Sequence, residues 1–147
     1  MSLSEQIMSD MKEAMKSRDK IKLNTVRMIK SALMNEKIKV GHDLTSDEEL
    51  TVLNREKKQR EESIEDFTKA KREDLAEDTK KELAVVESYM PKQLSKEDLE
   101  DLVTESIKEA GATNKSEFGK VMKVLMPKIK GKADGKVASD AVRNHLN

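Results

Sequence analysis

Apolar residues in this chain recur every three or four positions and almost never alternate, which restricts the fold to helices with one buried face. Leu3, Ile7, Met11, Ala14 and Met15 share such a face, with Ser2 or Ser4 available to cap its start. Ile21, Thr25, Met28, Ile29, Ala32 and Leu33 repeat the spacing until Gly41 supplies a stop. Thr45 and Ser46 are followed three residues on by Glu48 and Glu49, giving two alternative capping boxes for a long charged helix through about Ala70. Its apolar stripe, Leu50, Leu53, Ile64 and Phe67, is thin. A fourth helix from about Glu73 turns Leu75, Leu83, Val86 and Met90 inward, and Pro91 ends it by disfavouring a helical Met90.

Pro91 to Leu94 marks a boundary between an N-terminal helical subdomain, residues 1–90, and a C-terminal three-helix subdomain, residues 93–147. Ser95-Lys96-Glu97-Asp98 reads as an acidic variant of the capping box, with Leu94 and Leu99 as a hydrophobic staple. Leu99, Leu102, Val103, Ile107 and Ala110 line one face, and Gly111 is placed to close the helix in a left-handed conformation. A Ser116 cap then opens a helix with Phe118, Val121, Met122 and Leu125 inward, which Pro127 breaks. Asp134 caps a last helix carrying Val137, Ala138, Ala141, Val142 and Leu146. The expected fold is all-α and multihelical. Met8, Met11, Met15, Met122 and Met126 are expected to fill core.

Composition narrows function mainly by exclusion. Lys plus Arg (29) equals Asp plus Glu (29), so any attraction for anions must come from local segregation of charge. The absence of cysteine removes disulfides and thiolate chemistry and suits a reducing compartment, so a cytoplasmic protein is expected. No apolar run resembles a signal-peptide core or a membrane span, and no membrane partner is expected. His42 and His145 lack a second ligand at i+3 or i+4, so no metal is expected. Carboxylate pairs such as Glu61-Glu62 lie in strongly polar runs, where nothing desolvates one carboxyl to make it a general acid. With no phosphate-loop, nucleophile-elbow or dinucleotide string, the chain offers no catalytic residue and calls for no cofactor.

One segment departs from this neutrality. Between Lys115 and Arg143 stand eight basic residues, Lys115, Lys120, Lys123, Lys128, Lys130, Lys132, Lys136 and Arg143, against Glu117, Asp134 and Asp140, an excess of 8 − 3 = 5. At about 100° per residue, Lys120 and Lys123 oppose the Phe118, Val121, Met122, Leu125 face and point to solvent. Gly131 and Gly135 would let the backbone turn tightly and approach a bulky anion, and the N-terminus of the last helix would offer N–H groups beside Lys132 and Lys136. Lysines, glycines and a helix start suit phosphates, whereas three aromatic residues, Phe67, Tyr89 and Phe118, are too few for stacking an unpaired strand. The bland alternative is a lysine-rich face that only keeps the protein soluble. A second basic run, Arg55 to Arg60, contains a favourable Glu56–Arg60 pair and is followed by Glu61 and Glu62, so it reads as a solvated helix face.

Several strings resemble the GatB/YqeY family. They are Tyr89-Met90-Pro91-Lys92-Gln93-Leu94-Ser95, Gly119-Lys120-Val121-Met122 through Leu125-Met126-Pro127-Lys128, Gly131-Lys132-Ala133-Asp134-Gly135-Lys136 and Val142-Arg143. Arg27-Met28-Ile29-Lys30-Ser31-Ala32 and Lys58-Gln59-Arg60-Glu61-Glu62-Ser63 resemble its free-standing members. The resemblance implies a C-terminal unit similar to the tail domain of the B subunit of glutamine-dependent tRNA amidotransferase, hence a non-catalytic module that engages tRNA or another folded RNA. Carbon-nitrogen ligation with glutamine as amido donor attaches to it only by association. It supports Lys120, Lys128, Gly131, Lys132, Gly135, Lys136 and Arg143, while Lys123 and Lys130 rest on geometry. The rival expectations are an accessory subunit partnering an amidotransferase or synthetase, and a protein-only helical adaptor.

Overall fold

The computed structural model describes residues 1–146. Among these the secondary structure is helical throughout: α1 Leu3–Ser17, α2 Lys20–Val40, α3 Ser46–Lys69, α4 Glu73–Glu87, α5 Lys96–Ala110, α6 Phe118–Ile129 and α7 Gly135–His145. The chain divides into two compact units, Met1–Met90 and the residues from Pro91 onward.

In the first unit α1 packs on α2, α2 on α3 and α4, and α3 on α4. The buried centre is Ile7, Val26, Ile29, Leu53, Val86 and Met90, and Leu3, Met11, Leu33, Leu50, Val85 and Tyr89 pack around it. Helix starts follow side-chain chemistry closely. Ser2 and Glu5 close a reciprocal capping box on α1, and of the two boxes available to α3 the chain uses Thr45 with Glu48. Arg18 (φ 58°) and Lys71 (φ 60°) take left-handed conformations at the two tight corners, α1–α2 and α3–α4, where glycine would be less strained.

Four expectations need correction here. The fourth helix stops at Glu87, three residues before Met90, because the Pro91 ring would collide with the Glu87 carbonyl. Single-turn bonds, Tyr89 N–H to Val86 O and Met90 N–H to Glu87 O, carry the chain down so that Met90 is still buried. Met8 and Met15 are about half exposed, so they are not core filling, and Met28 joins them on the surface. Val26, off the expected α2 stripe, is fully buried.

Arg55 to Arg60 is not uniformly solvated either, since the Arg60 side chain is only 6 % exposed. Its guanidinium donates to the Glu56 carbonyl (3.1 Å), pairs with the Glu56 and Glu82 carboxylates (3.4 and 3.5 Å) and touches the Met28 sulfur (3.7 Å). Arginine supplies a long apolar stem with a charged head, so periodicity alone cannot tell a solvated arginine from one laid into a three-helix junction.

The second unit is a three-helix bundle of α5, α6 and α7 around Leu99, Val103, Val121, Leu125, Ile129, Ala138, Val142 and Leu146. Ser95 caps α5 by accepting from the Asp98 N–H (3.1 Å), and Gly111 (φ 67°) closes it. Ser116 does not cap the next helix. Asn114 accepts from the Ser116 N–H (3.0 Å) and opens a short 3₁₀ turn, Lys115–Glu117, that runs into α6. Pro127 does not break α6, which continues to Ile129. In the last turn a proline forfeits one hydrogen bond, and Ile129, 1 % exposed, returns roughly 2 kcal/mol by burial. Met126 and Val137 face solvent, against expectation.

Candidate nucleic-acid interface

The loop between α6 and α7 is tied to the segment that opens the second unit. Leu94 N–H donates to the Lys132 carbonyl (2.9 Å), and Gln93 Nε2 donates to the carbonyls of Gly131 (2.7 Å) and Pro91 (2.8 Å). Two motif strings far apart in sequence are therefore one construction, in which Gln93 satisfies carbonyls that the turn leaves without helical partners. Gly131 lies at its centre with φ 72°, a conformation that glycine adopts without penalty. Exposed around this crossing are Lys92, Lys130, Lys132 and Lys136. Lys92 is absent from the sequence-derived set because its neighbourhood depends on the Leu94–Lys132 bond, which no helical period announces.

The remaining basic residues divide by partner. Lys128 Nζ is held by the Glu109 carboxylate at 2.6 Å and by Glu105 at 3.8 Å, and Glu109 holds its ammonium above the usual lysine range. It is turned toward the acidic helix α5 and is the least available member of the set. Lys120 pairs loosely with Glu117 (3.8 Å) and is 70 % exposed. Arg143 lies over the Phe118 ring, 4.8 Å from its centre, and reaches Asp140 at 3.5 Å, so its fork is oriented but remains largely open to solvent. Lys123, Lys132 and Lys136 are exposed and have no carboxylate within ion-pair distance among the described residues.

The start of α7 differs from a bare anion site. The Asp134 carboxylate accepts from the Lys136 N–H (3.2 Å), so part of the helix terminus is already occupied by a negative charge. Gly135 is not required by its backbone conformation, since it is the first helical residue and a Cβ there would meet nothing within 4 Å. The tight-turn expectation thus holds at Gly131 and fails at Gly135, where the missing side chain leaves open space beside Lys136 and the half-exposed Val137. Chemically, the surface can hold several anionic oxygens at separate points while offering an apolar spot beside one of them.

His42 lies outside this surface, in the first unit, where its Nδ1 is 2.8 Å from the Asp43 carbonyl and its Nε2 3.7 Å from the Glu48 carboxylate. No helix among the described residues is long and apolar enough to cross a membrane.

Two curated proteins share most of this chain. One, from Pyrenophora tritici-repentis, is 33% identical over 130 residues, which are 86% of this chain and 71% of its own length. The other, from Candida glabrata, is 30% identical over 142 residues, 93% of this chain and 78% of its own. Both are named altered inheritance of mitochondria protein 41, mitochondrial. These relatives overturn the expectation of a cytoplasmic protein. A lack of cysteine says little about compartment, because it does not distinguish one reducing interior from another. The family model for Yqey-like proteins matches residues 4–146, from the first turn of α1 to the end of the second bundle, and the chain belongs to the YqeY-like family.

Proposed function

We propose that the C-terminal unit is a non-catalytic module that binds folded RNA, tRNA above all, through its phosphates. The contacts are assigned to Lys120, Lys123, Lys130, Gly131, Lys132, Gly135, Lys136 and Arg143, with Lys92 added and Lys128 reduced to a minor part. The observation that carries the reading is the segregation of charge within one small bundle. Six of the acids lie on α5, where two of them neutralise Lys128, while Lys123, Lys132 and Lys136 stand on the other helices and their loop without a carboxylate partner among the described residues. A face meant only for solubility gains nothing from keeping cations away from nearby acids, whereas a phosphate-binding face does. Val137 and the Phe118-backed Arg143 fit contacts to ribose and backbone better than stacking on a strand.

The module is read as an RNA-holding part for a reaction carried out elsewhere, such as amidation of an aminoacyl-tRNA by a glutamine-dependent carbon-nitrogen ligase. Its relatives' names make the mitochondrion the first compartment in which to seek the RNA. The test is titration of the full chain with unmodified tRNA. Lys123→Gln, Lys132→Gln and Lys136→Gln together are expected to weaken binding at least ten-fold with unchanged thermal unfolding. Lys128→Gln alone should cost less than two- to three-fold. Equal affinity of the wild type and the triple variant contradicts the reading. Capture of a protein partner that survives nuclease treatment, without measurable tRNA affinity, would favour the accessory-subunit alternative.

A further inference from the structure

The first unit carries a groove of about 880 Å³ that the RNA-binding reading leaves unused. It runs between α1 and α2 to the α2–α3 loop, with Ile7, Met8, Leu33, Met34, Ile38 and Leu44 along its apolar length. Met8, Met34 and Ile38 are 45, 54 and 73 % exposed, an unusual display for a chain with so few large apolar residues to spend. Methionine side chains are flexible and polarizable, so they adapt to an opposing apolar surface.

The ends of the groove carry opposite charges. At one end the Lys30 ammonium lies 3.8 Å from the Met8 sulfur and has no carboxylate within ion-pair distance among the described residues. At the other end Glu49 has no cation partner among the described residues, and partial burial raises its pKa above the usual glutamate range. Between them Lys37 and Asp43 cancel each other across 2.9 Å. The two poles are well separated. Arg55 of α3 meets Glu36 of α2 at 3.0 Å and Arg60 meets Met28 at 3.7 Å, so α3 runs antiparallel to α2. Glu49, six residues before Arg55, lies about 9 Å further toward Gly41 by helical rise, while Lys30 lies about 9 Å the opposite way from Glu36.

We infer that this groove is a two-fold interface between two copies of the chain, with the Met8–Met34–Ile38 surfaces in contact and Lys30 of each copy paired with Glu49 of the other. An apolar strip with one unpaired cation at one end and one unpaired anion at the other is its own complement under a two-fold rotation, so a second copy satisfies both poles at once. A partner of uniform charge would satisfy one pole and oppose the other.

The experiment is sedimentation equilibrium of the full chain over a wide concentration range, without RNA. The wild type is expected to self-associate. Lys30→Glu, Glu49→Lys and Ile38→Asp should each weaken dimerisation at least ten-fold, with folding checked by circular dichroism and thermal unfolding. An equimolar mixture of the Lys30→Glu and Glu49→Lys chains should recover dimers of nearly wild-type strength, because both crossed pairs then join opposite charges. A wild type that stays monomeric up to about 1 mM, or a dimer insensitive to these changes, overturns the inference and leaves the groove to another protein. A mixture no stronger than its components also overturns it. None of these outcomes depends on whether the second unit binds RNA.

Discussion

Ser106 and Tyr89 are polar groups placed where packing would accept an apolar one, and they carry opposite expectations. The Ser106 hydroxyl is fully buried in the second bundle without a hydrogen-bond partner among the described residues. Ser106→Ala removes that desolvated group and improves helix propensity, so it should stabilise the protein by about 1 kcal/mol, read as a higher midpoint in urea. Tyr89 instead donates to the Asp10 carboxylate at 2.6 Å, and Tyr89→Phe should cost about 1 kcal/mol. Burial first, then the bond to Asp10, raises the Tyr89 pKa. A folded-state pKa above the unfolded one stabilises below the unfolded value near 10 and is lost as pH rises past it. Stability should therefore fall above about pH 10 more steeply in the wild type than in Tyr89→Phe, and the phenolate signal is clean because Tyr89 is the only tyrosine and there is no tryptophan. None of these placements was legible in the sequence. Periodicity marks apolar residues, whereas Ser106, Arg60 and Tyr89 are fixed by what lies across from them.

At the scale of elements, the ends and faces of helices were legible where side-chain chemistry is local. Ser2, Thr45, Ser95 and Asp134 act within a few residues of themselves, and the all-helical fold follows from spacing that no strand could bury. Pro127 and Ser116 misled because competing long-range burial of Ile129, and a better acceptor two residues upstream at Asn114, decided those ends. Of the site, the outward faces of Lys120 and Lys123 followed from α6 periodicity, but the Gln93–Gly131 crossing and the capture of Lys128 by α5 required the tertiary fold. Gly131 and Gly135 now separate fold from function. Gly131→Ala forces a left-handed alanine and should cost about 1–2 kcal/mol of stability. Gly135→Ala sits in a helical position with open space around it and should leave stability unchanged or raise it by up to about 1 kcal/mol. If the backbone there approaches a phosphate, the same variant should weaken tRNA binding several-fold. Unimpaired binding would remove Gly135 from the site.

For the whole molecule, neutrality conceals strong segregation. α2 carries six lysines and arginines against one glutamate, and α5 six acids against two lysines. With 29 charges of each sign, such a chain has no long-range field to draw it to every polyanion, so binding that depends on particular lysines should differ sharply from non-specific attraction. The measurement closest to the central claim is the dependence of tRNA affinity on salt, made on the wild type and on the chain with Lys123, Lys132 and Lys136 all changed to Gln. Each phosphate contact releases counterions, so the slope of log affinity against log salt should be shallower in the variant by roughly 2 to 3. Parallel lines for the two proteins would contradict the account, because these three lysines would then hold no phosphate.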